Sequence, residues 1–90
     1  YDPASMPRKR TALGRFAHEM GVFANVSVGK PVTVYMGDDS RGEYVYKFVS
    51  TATWSAGDAN PANRITTGDK FLDSGKLYVA RYNADGSGQW

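Results

Sequence analysis

Between residues 22 and 49 the chain changes side with almost every residue, in three successive runs separated by glycine-bearing joints. A period of two marks a half-buried strand, because successive side chains leave the backbone on opposite faces. In residues 22–28 (VFANVSV), Val22, Ala24, Val26 and Val28 share one side. Gly29-Lys30-Pro31 then reads as a turn. In residues 32–36 (VTVYM), Val32, Val34 and Met36 fall together. Residues 37–42 (GDDSRG) form a polar loop bracketed by glycines, and residues 43–49 (EYVYKFV) place Tyr44, Tyr46 and Phe48 on one face. Three runs joined this tightly predict an antiparallel meander over 14–49.

The flanks lack this rhythm. Residues 1–13 (YDPASMPRKRTAL) carry two prolines and read as an extended linker. Residues 14–19 (GRFAHE) allow at most one helical turn. Residues 50–74 break the alternation and predict a long loop, which inside a compact domain must serve a site or pack on something else. Residues 77–82 (LYVARY) give a fourth strand, and residues 83–88 (NADGSG) a turn. The fold class is therefore all-β. One open sheet has two faces and two edges to protect, and no amphipathic helix is predicted to cover them. Stacked neighbouring sheets would do so, as in a β-propeller. Residues 1–90 fit about one blade plus an adjoining segment, a single fragment of a larger domain. The first residue is Tyr, which predicts a processed or excised chain.

Composition removes several classes of function. There is no Cys among the 90 residues, so neither a disulfide nor a thiolate metal site is possible within the chain. A formal charge of +2 is too mild to indicate nucleic acid or membrane. Arg8, Lys9, Arg10 and Arg15 do cluster, but without a recognition motif they read as a solvated basic loop. No apolar run reaches the roughly 20 residues that span a bilayer. One His and no nucleophile elbow exclude a Ser-His-Asp set, and no P-loop spacing occurs. The stripe of Tyr44, Tyr46 and Phe48 would suit base stacking, but burial between sheets is the commoner use.

Three segments carry a family likeness: GRFAHE (14–19), VYMGDDSRGEYVYKFVS (34–50) and GKLYVARYNADGSGQW (75–90). In order and spacing they resemble successive motifs of the PhoX-type alkaline phosphatases. The resemblance covers roughly residues 13–90. It implies a propeller-like enzyme, exported to the periplasm or the exterior, usually by the twin-arginine route. It implies hydrolysis of phosphate monoesters with calcium and iron, and a Cys ligand to the iron. Family members run to several hundred residues. With no Cys, this chain lacks part of that metal centre, and the isolated chain is expected to be inactive.

The resemblance makes Glu19, Asp38 and Asp39 the metal-ligand candidates. Arg41 and Glu43 follow as groups lining the substrate pocket or supporting those ligands. Phosphate ester hydrolysis needs cations to neutralise phosphoryl oxygens, and calcium takes six to eight oxygens. One loop cannot fill such a shell. Taken alone, GDDSRG is an ordinary polar turn as readily as a cation loop. Glu19 alone could cap backbone N–H groups or pair with Arg15. His18, without a partner motif, signals little. NADGSG begins like a calcium loop but lacks the closing Glu, and an Asp-Gly turn describes it better. Two other readings stand beside the phosphatase: a non-enzymatic β module that self-associates through its edges, and an autonomous calcium-binding β domain.

Overall fold

The computed structural model describes residues 3–90; the first two residues of the expected linker lie outside the described residues. Two strands form the centre. β2 (Pro31–Asp38) buries Val32, Val34 and Met36 as the alternation predicts. Pro31, which has no N–H to give, stands at its first position. β3 (Val45–Thr53) turns Phe48 to the same face, where it is 0% exposed. The antiparallel register sets Val34 against Phe48 and Met36 against Tyr46. These residues form the core, with Ala12, Leu13, Phe16 and Leu72 packed around it. Ser50 is buried at an irregularity of the pairing. Its hydroxyl accepts from Val32 N at 2.8 Å and donates to Ala52 O at 2.7 Å, so the interruption leaves no orphaned group there.

β1 (His18–Phe23) and β4 (Gly75–Val79) complete a four-stranded antiparallel sheet in the order β1-β2-β3-β4. The sheet does not close, so β1 and β4 each pair on one side only. β5 (Arg81–Tyr82) and β6 (Gly88–Gln89) make a separate short hairpin. Its turn is held by Asn83 N donating to Ser87 O, and Asp85 Oδ1 accepts from Ser87 N and Ser87 Oγ. Those bonds hold the Asp85 carboxyl below the usual carboxylate range. NADGSG is thus the Asp-Gly turn of the sequence reading.

Three expectations change. The first strand is not 22–28 but His18–Phe23, and residues 24–30 leave the sheet. Gly29 N donates to Trp54 O, and Trp54 N to Lys30 O, which ties this connection to the far end of β3. Every residue of β1 is exposed, so its pairing rests on the backbone and no apolar alternation announces it. The fourth strand ends at Val79, where buried Ala80 separates it from β5.

The third change is the largest. Residues 50–74 are not one loop: they hold the end of β3, 3-10 turns at Ala56–Ala59 and Pro61–Asn63, and α1 (Arg64–Leu72). Asn60 Oδ1 accepts from Ala62 N, and Pro61 follows it, which together start the helical segment. Phe71 is the one buried residue of α1, its ring 5.2 Å from Trp54. Lys70 Nζ donates to both oxygens of Asp58 at 2.9 Å, and Ser55 N adds a third bond at 2.8 Å. Lys70 first, then Ser55, hold the Asp58 carboxyl below its ordinary value. A depressed carboxyl contributes stability above the ordinary carboxylate range and loses it as pH falls through the lowered value. Thermal melting from about pH 5 down to about pH 2 should therefore show an acid loss, smaller in Asp58→Asn than in the parent.

Gly75 has the least room of the sheet's glycines. A Cβ there would meet the Val49 carbonyl and lie 2.5 Å from Phe48 Cζ. Gly75→Ala should lower stability by about 1–3 kcal/mol through overpacking, read as a lower urea midpoint.

The result is thin for its mass. The molecule measures 47 × 30 × 18 Å, and its radius of gyration of 14.7 Å exceeds the roughly 12 Å of a compact chain this long. Its accessible surface is 6610 Å², against about 5,200 Å² for a compact 9.8 kDa protein, an excess of about 1,400 Å². Met20, Val22, Phe23, Leu77 and Val79 stay exposed on the two edge strands. No helix among the described residues is long and apolar enough to cross a membrane.

Candidate functional site

The residues singled out from the sequence meet at one corner, where β1 begins and β2 ends. His18 stands opposite Asp38, and Met20 opposite Gly37, so Glu19 has no partner on β2 and forms a β-bulge. A bulge re-aims the extra residue and is common beside active sites. Asp39 N donates to Ala17 O at 2.8 Å, which folds the GDD segment back over the entry to β1. Glu19, Asp38 and Asp39 therefore share the corner, brought there from two strands.

The loop itself obeys turn chemistry. Asp38 Oδ1 accepts from Ser40 N at 3.0 Å. Glu43 N donates to Ser40 O across Arg41 and Gly42. Gly42 has φ +76°, the value a type II turn requires at that position. Arg41 occupies the turn's exposed apex, away from any ion pair among the described residues. The Tyr46 hydroxyl lies in reach of this loop's field. Desolvation first, and then the charges of Asp38 and Glu43, push its pKa above the ordinary value. Glu43 closes the same loop.

An aromatic column braces the site. The His18 ring stacks on Phe16 at 3.8 Å, and Phe16 on Tyr46 at 4.1 Å. Tyr44 meets Tyr46 edge-on at 6.5 Å. His18 Nε2 lies 3.1 Å from Gly14 O. A carbonyl only accepts, so Nε2 is the donor of this bond. This column was not foreseen from sequence. The alternation of 43–49 grouped Tyr46 with Phe48, but nothing local pointed to Phe16.

Beside the column runs a cleft of about 580 Å³, lined by Arg8, Lys9, Arg10, Arg15, Phe16 and His18 among others. Lys9 and Arg15 make no ion pair among the described residues. Arg10 departs from the expected solvated loop. Its side chain is 15% exposed, and Nη1 donates to Asp69 at 2.6 Å and Asp73 at 2.8 Å. These bonds, that to Asp73 foremost, hold its pKa above the ordinary value. Arg10 fastens the N-terminal segment to α1, and that segment forms the cleft's wall. The corner carries carboxylates and the cleft guanidinium and ammonium groups, with His18 between them.

The metals implied by the family resemblance need more ligands than the described residues gather. Among the described residues no group of three or more His, Cys, Asp or Glu side chains could hold a metal ion. Glu19, Asp38 and Asp39 do not gather into one such group, and there is no thiolate for iron. An autonomous calcium-binding domain would need a ligand set that the described residues do not assemble.

An open four-stranded antiparallel meander, with the candidate side chains at one strand end, is consistent with a partial β-propeller of about one blade. The chain belongs to the PhoX alkaline phosphatase family: the family model "Alkaline phosphatase PhoX" matches residues 1–90. It is similar to the solved structure of Pseudomonas fluorescens PhoX in complex with vanadate, a transition state analogue. The two are 51% identical with a TM-score of 0.72, over 92% of this chain and 13% of that one. The chain therefore spans only a small part of that protein's length. No curated protein matches it.

Proposed function

We propose that this chain forms one wall of a PhoX-type alkaline phosphatase, and that phosphate monoester hydrolysis belongs to the complete enzyme. The observation that carries this reading is the 51% identity to a PhoX protein held with a transition state analogue, over 92% of the chain. The corner geometry supports it. Glu19, lifted out of register, stands at the same strand end as Asp38 and Asp39. Lys9 and Arg15 add positive potential to the adjoining cleft, which draws a phosphate dianion toward the corner. Arg41 and Glu43 rim the same loop.

Calcium and iron, when bound by the complete enzyme, would supply the neutralising charge that phosphoryl oxygens need. This chain would contribute carboxylate oxygens to that centre, and other segments the remaining ligands. Export to the periplasm or the exterior goes with this reading.

The test is a phosphatase assay on the isolated chain with calcium and iron added. Background turnover is expected, together with restored turnover when the chain is supplied within a complete PhoX enzyme. Robust turnover by the isolated chain would refute the division of labour.

A further inference from the structure

We propose that Arg10 is a positioning residue: Gly68, Asp69 and Asp73 of α1 form a socket for its guanidinium, and that seat sets how firmly the neighbouring cleft binds phosphate. The socket stands on geometry alone; its effect on phosphate rests on the phosphatase reading.

Several features of α1 work against the helix itself. Asp73 is its C-terminal cap, and Asp69 lies one turn earlier. Carboxylates at that end oppose the helix dipole, which favours cations there. Lys70, the basic residue of the last turn, is engaged elsewhere, donating to Asp58. Gly68 sits inside the helix, where glycine is weaker than alanine.

Arg10 answers all of these. Asp69 and Asp73 stand four residues apart and so share a face. Arg10 Nη1 donates to Asp69 Oδ1 at 2.6 Å and to Asp73 Oδ1 at 2.8 Å. A Cβ on Gly68 would come 2.7 Å from Nη2, 3.4 Å from Cζ and 3.9 Å from Nε. The guanidinium therefore occupies the space that a side chain at 68 would need. The tip of an exposed Arg gives way easily. This one is held by two charge-assisted bonds and is mostly buried. Arg8 does not replace it: its Nε stays 3.9 Å from Asp69, on a side chain more than half exposed.

The seat reaches the corner through the backbone. Arg10 O accepts from Leu13 N at 3.2 Å, and Thr11 O from Gly14 N at 3.1 Å. Gly14 O accepts from His18 Nε2 at 3.1 Å. His18 opens β1, and the bulged Glu19 follows it. Lys9 and Arg15 flank this turn and line the cleft. Unseating Arg10 frees the wall that carries them. Their charges attract phosphate before as well as during the reaction, so the loss falls on binding more than on the chemical step.

Hydrogen exchange on a complete PhoX enzyme carrying this segment tests the seat, and steady-state kinetics with p-nitrophenyl phosphate test its effect. In Gly68→Ala, which changes no charge, the Leu13 and Gly14 amides should exchange about tenfold faster or more, with those of β2 and β3 as in the parent. Arg10→Ala should give the same pattern. Adding Gly68→Ala to it should accelerate exchange no further, because no guanidinium remains to be displaced. Each single variant should raise KM about threefold or more, by a larger factor than it lowers kcat. Unchanged exchange in Gly68→Ala, additive effects in the double variant, or acceleration spread evenly over the sheet would overturn the socket. Faster exchange with an unmoved KM would overturn its hold on the cleft. A parent enzyme without turnover would refute the phosphatase reading, and exchange would still decide the socket.

Discussion

Phe48→Ala is expected to leave no folded sheet at room temperature, seen as loss of the β signal in far-UV circular dichroism. Phe48 is the one fully buried large side chain among the described residues, set between Val34 on β2 and Leu77 on β4. Removing such a ring costs about 3–5 kcal/mol, the lost transfer energy plus the cavity left behind. A core of this size supplies little more than about 3–5 kcal/mol in total. Val34 and Met36 cluster with Phe48, and buried Phe71 packs on Trp54 away from that cluster, so the middle of the sheet would keep no fully buried large side chain. Phe48→Leu, which keeps much of the volume, should retain the sheet with a lowered midpoint.

The second large effect concerns the corner. In a complete PhoX enzyme carrying this segment, Glu19→Gln should lower kcat/KM by about a hundredfold or more, beyond the 10–100-fold typical of groups that only support a metal ligand. Glu19→Gln keeps the size of the side chain and removes its charge, and as a bulge residue Glu19 has no cross-strand partner to lose. Stability should therefore change little, which separates a chemical role from a structural one. Glu43→Gln, at the rim of the turn, should cost only a few-fold. Equal losses from both variants would remove Glu19 from its special position.

The sequence and the structure agree best where burial is one-sided. Val32, Val34, Met36 and Phe48 had to share a face, and a period of two displays that directly. Edge strand β1 escaped because pairing at an edge needs only backbone groups, and its side chains meet water. Helix α1 escaped because Thr66, Thr67 and Gly68 are weak helix formers and only Phe71 is buried. The Asn60-Pro61 step was the available sign of a helical start. Local patterns also hid the long-range ties: Arg10 meets Asp69 and Asp73 across 59 and 63 residues. The candidate carboxylates are marked by family likeness and by no local pattern. That they share a corner follows from the register of β1 on β2, and the bulge at Glu19 is visible only in that register.

The sheet exposes far more surface than its mass warrants. Calorimetry of the dilute, monomeric chain tests this most directly. A compact domain of 90 residues would unfold near 60 °C with an enthalpy of about 60 kcal/mol. The predicted result is a broad transition with an enthalpy well below that figure. A sharp two-state transition at the full enthalpy, independent of concentration, would show that the chain finishes its own interior and would contradict the account.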